Sequence, residues 1–168
     1  MVLAVSVCPS SSFADRGQLE MRVKSAFIYN FTKYITWSDS GETDTDSNLR
    51  ICVVKDDEVF ELVSETVGGK STQGRIIEVL HLRDRTEASQ CHLAYVLDSR
   101  LEEDWRQEMG GAGLVTVGDG SGFVDKGGVF GFVIVNEGVR FEINLAAAEK
   151  KGLTISSKLL SLAQRVIY

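Results

Sequence analysis

The chain has 168 residues, of which 43% are hydrophobic, and its formal net charge is −6. This length and composition suit a single globular domain with a substantial core. The net negative charge, with Lys and Arg scattered along the chain, argues against a nucleic-acid-binding face and against electrostatic docking to anionic lipid, and no apolar run is long enough for a transmembrane helix.

The N-terminal residues 1–14 are typical of the second half of a secretory signal peptide. An apolar run over residues 2–8 is followed by the small residues Ser12 and Ala14, at the positions where signal peptidase cleaves. The basic segment that opens such a signal is missing. We therefore predict a partial signal peptide over residues 1–14 and a single mature domain over residues 15–168, exported to the periplasm. A cytosolic N-terminal segment and a lipid anchor are the alternatives.

The first predicted helix spans residues 16–34. Its apolar residues recur at steps of three and four, which defines one stripe that we expect to face the core. The members of this stripe are Leu19, Val23, Ala26, Phe27, Phe31 and Tyr34. The acidic segment that follows, residues 38–48, has no periodicity and is predicted to be an exposed loop.

Strands and helices then alternate. The predicted strands cover residues 49–54, 75–82, 91–97 and 113–118. The predicted helices cover residues 58–67 and 98–109, with Asp56 or Asp57 capping the first of them, and a short helical connector covers residues 83–90. This spacing predicts an α/β fold with a mostly parallel central sheet and helices on both faces.

Residues 113–145 carry the densest β signal in the chain. Strict apolar and polar alternation over residues 139–144, after a turn at residues 136–138, predicts an antiparallel hairpin over residues 129–145 near the C-terminal edge of the sheet. A short helix over residues 146–151 and a last helix over residues 156–166 are expected to follow it.

Two cysteines remain if the signal is removed, Cys52 and Cys91. An even pair in an exported domain predicts a disulfide, here between two strands of the same sheet. The alternative is a pair of buried free thiols in a cytosolic protein.

Several motifs fail at the positions that define them. Residues 68–72 resemble a phosphate-binding loop, but a helix precedes them and a strand follows, the reverse of what the motif requires. Residues 44–48 begin like a calcium loop that lacks the glycine and the final glutamate. Cys91 and His92 are neighbours on a predicted strand and point to opposite faces, so they can hardly share a zinc ion. We therefore predict no metal, no cofactor and no enzymatic activity.

The polar side of the predicted hairpin offers the best candidates for contact with a partner or a ligand. Ligands often bind beyond the carboxyl ends of parallel strands, where the glycine-rich segment 118–128 lies. The candidate residues are Gly127, Gly128, Arg140, Glu142 and Asn144. For Glu142 the alternative is a structural salt bridge with Arg140 or Lys24.

Seven segments of the chain, in this order, resemble the YfiR-like family of periplasmic proteins. The segments are residues 23–34 before Trp37, 51–54, 91–92, 114–117, 127–128, 140–145 and 152–163. Each segment is unspecific by itself, whereas seven in the correct order are specific, and together they span nearly all of the predicted mature domain.

The resemblance implies an α/β periplasmic protein without known enzymatic activity. The best-understood family member is a dimer that binds the periplasmic sensing domain of a membrane diguanylate cyclase and represses it. For this chain, the resemblance implies a homodimeric regulator upstream of cyclic di-GMP and biofilm formation. Members often carry a second cysteine pair, which this chain lacks, so Cys52 and Cys91 are expected to have a mainly structural role. The rival hypothesis is a periplasmic small-molecule-binding sensor module.

Overall fold

The computed structural model describes residues 11–37, 48–97 and 109–168, with the side chains of residues 11–14, 85 and 86 left aside. Residues 1–10 of the predicted signal peptide, nearly all of the predicted acidic loop and the helix predicted over residues 98–109, except its last residue, lie outside the described residues.

The described helices and strands alternate along most of the chain, as predicted. The helices are α1 (Ser11–Tyr34), α2 (Asp57–Val67), α3 (Leu145–Lys150) and α4 (Ser157–Leu160), with a 3₁₀ helix at Arg85–Gln90. The strands are β1 (Ile35–Trp37), β2 (Leu49–Val54), β3 (Ser71–Thr72), β4 (Arg75–Leu82), β5 (Leu93–Val96), β6 (Val115–Asp119), β7 (Phe130–Val135), β8 (Gly138–Asn144), β9 (Leu153–Ile155) and β10 (Arg165–Ile167).

The central sheet has eight strands in the order β10-β8-β7-β6-β5-β2-β4-β3. The five strands from β7 to β4 in this order run parallel to one another. β8 pairs with β7 antiparallel through the predicted hairpin, with Phe132 opposite Phe141. The prediction of a mostly parallel sheet with an antiparallel hairpin is confirmed. β1 and β9 form a separate antiparallel pair.

The end of the chain differs from the prediction. The helix expected over residues 156–166 ends at Leu160, and residues 165–167 form β10, which pairs parallel with β8. β10 therefore covers the hairpin, and β8 is not the edge strand. The apolar residues between 159 and 166 fit a helical repeat, but the sheet edge offers hydrogen bonds that an isolated last helical turn lacks.

Two apolar clusters lie on opposite faces of the sheet, because alternate residues of each strand point to opposite sides. On β2, Ile51 and Val53 face the larger cluster, beneath α1 and α2, whereas Cys52 and Val54 face the smaller one. The smaller cluster is covered by the 3₁₀ helix and by Phe123. Helices on both faces were predicted, and the second face is closed within the described residues by these shorter segments.

The N-terminal helix α1 does not bury the predicted stripe. Leu19 is 64% exposed and Val23 is 39% exposed, whereas Met21, Ile28 and Phe31 are buried. Met21 and Ile28 lie on a different side of the helix from Leu19 and Val23, yet each pair satisfies a helical repeat, so periodicity alone could not select the buried side. The prediction that the whole stripe faces the core is wrong, and α1 presents part of it to solvent.

Candidate interaction surface

The exposed stripe of α1 forms one wall of a groove whose other wall is the β7–β8 hairpin. The groove has a volume of about 570 Å³. Leu19, Val23 and Phe27 line it from α1, and Ile134, which is 53% exposed, lines it from β7. Exposed apolar side chains grouped in one concave surface mark an interaction site more often than scattered ones do. We call this surface the α1–hairpin groove.

The floor of the groove is fixed by an aromatic cluster. The Phe27 ring lies 5.4 Å from the Phe141 ring and 6.2 Å from both Phe31 and Phe132, centroid to centroid. Phe31 in turn stacks on Phe130 at 4.3 Å. These rings pack against the central sheet, so the inner side of the groove is part of the protein core.

The hairpin turn places charged residues on the rim of the groove. Asn136 and Glu137 both have positive φ angles, 50° and 61°. Two consecutive left-handed residues are characteristic of a type I′ turn, whose twist matches that of the flanking strands. Glu137 and Arg140 therefore flank the groove from the hairpin, and Arg16 and Glu20 flank it from α1.

On its inner side, α1 carries a buried lysine. Lys24 Nζ lies 2.6 Å from Glu20 Oε1 and 3.0 Å from Asp119 Oδ1, and its side chain is 9% exposed. The Tyr95 hydroxyl donates a hydrogen bond to the other oxygen of Asp119, at 2.7 Å. Burial, followed by the charge of Asp119, raises the pKa of the Tyr95 phenol well above its ordinary value. The network therefore contains a neutral phenol, one cation and two carboxylates.

This network borders a second, smaller crevice of about 320 Å³. The crevice lies beyond the carboxyl ends of β5 and β6, and its apolar residues include Met21, Val59 and Leu97. Glu20 lines both the crevice and the groove, so the two adjoin each other across α1 at this residue. The sequence reasoning missed Lys24, Asp119 and Tyr95 as a group. The i, i+4 spacing of Glu20 and Lys24 was the only local signal.

The predicted contact residues are not brought together. Gly127 has a φ of 95°, and a side chain on Gly128 would overlap the Phe123 ring. Both glycines therefore serve the local backbone and the packing of Phe123. Asn144 accepts a hydrogen bond from Ala147 N at 2.8 Å and so caps α3, while its amide donates to Val124 O. A contact role for these three residues stays a prediction.

Glu142 forms a salt bridge with a base that the sequence reasoning did not name. Arg165 on β10 donates to both oxygens of Glu142, at 2.8 and 2.9 Å, and to both oxygens of Asp125. These hydrogen bonds from Arg165 lower the pKa of Asp125. Neither Arg140 nor Lys24 is the partner. Arg140 instead lines the α1–hairpin groove, and it is the one predicted contact residue that does.

The structure joins Cys52 and Cys91 in a disulfide, as predicted. Cys52 lies on β2, whereas Cys91 precedes β5, so the bond ties a strand to the loop that enters the neighbouring strand, with Cα atoms 6.0 Å apart. Closing a loop of this size stabilises a domain by about 4 kcal/mol in the chain-entropy estimate. Within the described residues there is no cluster of His, Cys, Asp and Glu that could hold a metal ion, and no helix there is long and apolar enough to cross a membrane.

Comparison with known proteins identifies the family. Two solved structures share the fold, each with 13% sequence identity: a conserved domain protein of Vibrio cholerae O1 biovar El Tor (TM-score 0.57) and an ABC domain of Streptococcus pneumoniae in complex with L-Trp (TM-score 0.53). They align with 87% and 88% of this chain, which spans 60% of the length of each. No curated protein matches. The YfiR/HmsC-like family model matches residues 21–164, so the chain belongs to the YfiR/HmsC-like family.

Proposed function

We propose that this protein is a periplasmic regulator that binds the periplasmic sensor domain of a membrane diguanylate cyclase, or of a similar signalling protein, and represses it. The observation that carries the proposal is membership of the YfiR/HmsC-like family over residues 21–164. Repression lowers cyclic di-GMP and biofilm formation. The protein acts by binding, without enzymatic activity and without a cofactor, and as a homodimer.

The contact surface that we propose is the α1–hairpin groove. Its exposed apolar side chains would be removed from water by a partner, and burying a Leu or Ile side chain contributes about 1.5 to 3 kcal/mol. The surrounding charges, Arg16 and Arg140 with Glu20 and Glu137, are of both signs. Mixed charge at the rim adds selectivity for one partner more than it adds affinity.

The test is a double substitution on the outer side of α1, Leu19→Ser with Val23→Ser. We expect the variant to fold as well as the wild type, because both side chains are exposed, and to lose capture of the membrane sensor domain that the wild type captures in a pull-down from host membranes. Cyclic di-GMP in the host strain should rise to the level of the deletion strain.

The matched control is Ile76→Ser on β4, near the opposite edge of the sheet, where Ile76 is 55% exposed. This variant should bind and repress as the wild type does. Equal binding by the groove variant and the control would exclude the groove as the contact surface. A cyclic di-GMP level in the deletion strain equal to that in the wild-type strain would contradict the regulatory proposal itself.

A second candidate function is a small-molecule-binding sensor, and the crevice beside Lys24 favours it. β2 lies between β4 and β5 in the sheet, so the direction of strand order reverses at β2. Ligands of open α/β sheets bind beyond the carboxyl ends of the strands near such a reversal. The Streptococcus pneumoniae neighbour, which shares only the fold, holds L-Trp. A thermal-shift screen of amino acids would support this function if one raised the melting temperature of the wild type and not that of Glu58→Gln, a variant at the crevice wall.

A further inference from the structure

The two edges of the central sheet differ in how much strand they leave open. One edge is β10, which has three residues. At the other edge β3 has two residues and pairs with β4 only at Arg75 and Ile76. Short edge strands prevent pairing with other chains, and so do lysine and proline on an edge. β4 is longer and contains neither lysine nor proline, so its outer side beyond β3 is the stretch most open to another strand.

The backbone groups of β4 alternate between β2 and the outside of the sheet. The N–H of Ile77 donates to Lys70 O at 2.7 Å, and Gly69 N donates to Ile77 O at 3.0 Å. The groups of Ile77 therefore point away from β2. Because successive residues of a strand alternate, the groups of Val79 and His81 point the same way. Within the part of the chain that the structure describes, neither residue has a backbone hydrogen bond on that side.

The side chains along this open edge are mostly apolar. Ile76 is 55% exposed, and Val79 and Leu80 are partly buried hydrophobic residues. Leu80 falls midway between Val79 and His81, and its side chain packs against the smaller apolar cluster. The open edge thus has two outward residues placed symmetrically about one apolar side chain.

We propose that the outer edge of β4 pairs with the same edge of a second copy of this chain, antiparallel about a two-fold axis at Leu80. Val79 of each copy then faces His81 of the other, and each of these pairs exchanges two hydrogen bonds. The two Leu80 side chains meet as a non-hydrogen-bonded pair, with Cβ atoms about 4.5 to 5.5 Å apart, and leave water together. Such a self-complementary patch is what a two-fold interface requires. The inference rests on the homodimer of the proposed function and names its interface.

The length of β4 selects this register. Moving the axis one residue toward the C-terminus would place Val79 opposite Arg83, beyond the end of β4 at Leu82. Moving it one residue toward the N-terminus would place His81 opposite Ile77, whose outward groups are already bonded to residues 69 and 70. With the axis at Leu80, the outward groups of both Val79 and His81 are paired within β4.

The oligomeric state of the protein tests the interface. Leu80→Lys places like charges opposite each other across the axis and should raise the Kd of the dimer at least about tenfold in sedimentation equilibrium. Leu80→Asp should do the same. An equimolar mixture of the two variants should recover the dimer, because opposite charges then meet, and recovery also shows that both variants are folded. The matched control Ile76→Lys puts the same charge on β4 opposite Ser71 of β3, and it should dimerise as the wild type does.

A cysteine at the axis gives a second test. Leu80→Cys should form a covalent dimer on mild oxidation, because the facing Cβ atoms are close enough for a disulfide, whereas Ile76→Cys should not. A wild-type dimer that survives both charged substitutions of Leu80, without a cross-link at position 80, would overturn this interface and leave the homodimer of the proposed function in place. A wild-type protein that stays monomeric at all concentrations would overturn both. Contact through the α1–hairpin groove is tested separately by the pull-down.

Discussion

The two long helices of the described structure pack on the same face of the sheet but use their apolar residues differently. On α2 the apolar side is buried: Val63 and Val67 are 0% exposed, and Asp56 caps the helix by accepting a hydrogen bond from Val59 N. On α1 the predicted stripe is partly exposed, while Lys24 is buried on the inner side. α2 therefore buries its apolar side, as an ordinary core helix does. α1 instead exposes some apolar residues and buries a charged one.

This arrangement of α1 has a physical explanation on each side. Inside, the charge of Lys24 is compensated by Glu20 and Asp119, so the polar residue can be buried. Outside, Leu19 stays largely exposed and Val23 partly exposed, so folding buries them less than it buries core residues. A helix that needed only to cover the sheet would carry polar residues there, as α2 does, and this is why we propose the groove on α1 as a contact surface.

The largest expected effect is at Lys24. Lys24→Ala removes the cation that compensates Asp119 and leaves a poorly solvated carboxylate, which costs about 3 kcal/mol of unfolding free energy. Urea denaturation would measure it. The matched control is Lys33→Ala on the exposed side of the same helix, where Nζ donates to Asn30 and lies over the Tyr29 ring, with an expected change below about 0.5 kcal/mol. Equal losses in the two variants would show that α1 is not held by its buried ion pair.

The second effect compares one substitution on both helices. Val63→Ala on α2 deletes buried methyl groups and should cost about 2 kcal/mol, from lost transfer free energy and a cavity. Val23→Ala on α1 should change the unfolding free energy by less than about 0.5 kcal/mol, and in the favourable direction, because alanine is the better helix former. A loss at Val23 as large as at Val63 would mean that the outer side of α1 is covered in the free protein.

The same comparison shows how far the sequence could predict this molecule. For α2 the helix and its cap are local signals, and the structure confirms both. For α1 two sides of the helix carry apolar residues at helical spacing. The side that is buried also carries Lys24, whose partner Asp119 lies 95 residues later in the chain (119 − 24). Periodicity contains no information about that distant charge.

Tertiary partners explain the other differences too. The disulfide was predictable because cysteine count and an export-like segment need no geometry. Glu142 was recognised as a salt-bridge candidate, but its partner Arg165 belongs to a segment predicted as helix, which pairs with β8 as β10. Gly128 is required because the Phe123 ring packs against it, in the smaller apolar cluster. No sequence pattern indicates that position of Phe123.

The smallest effect concerns the phenol that completes the buried network of α1. Tyr95→Phe removes the hydrogen bond to Asp119 and should cost about 1.5 kcal/mol near pH 7, less than Lys24→Ala because Asp119 keeps its cation. The folded state raises the pKa of Tyr95 above that of the unfolded chain, whose ordinary value is 10.0. This contribution to stability is therefore complete below pH 10 and is lost as the pH rises from there toward the folded pKa. Urea denaturation at pH 9 and pH 11 would show a steeper loss in the wild type than in the variant, since deprotonation of lysines is common to both. Parallel losses would mean that Tyr95 ionises in the folded protein as freely as an exposed tyrosine, and that the inner side of α1 is open to solvent.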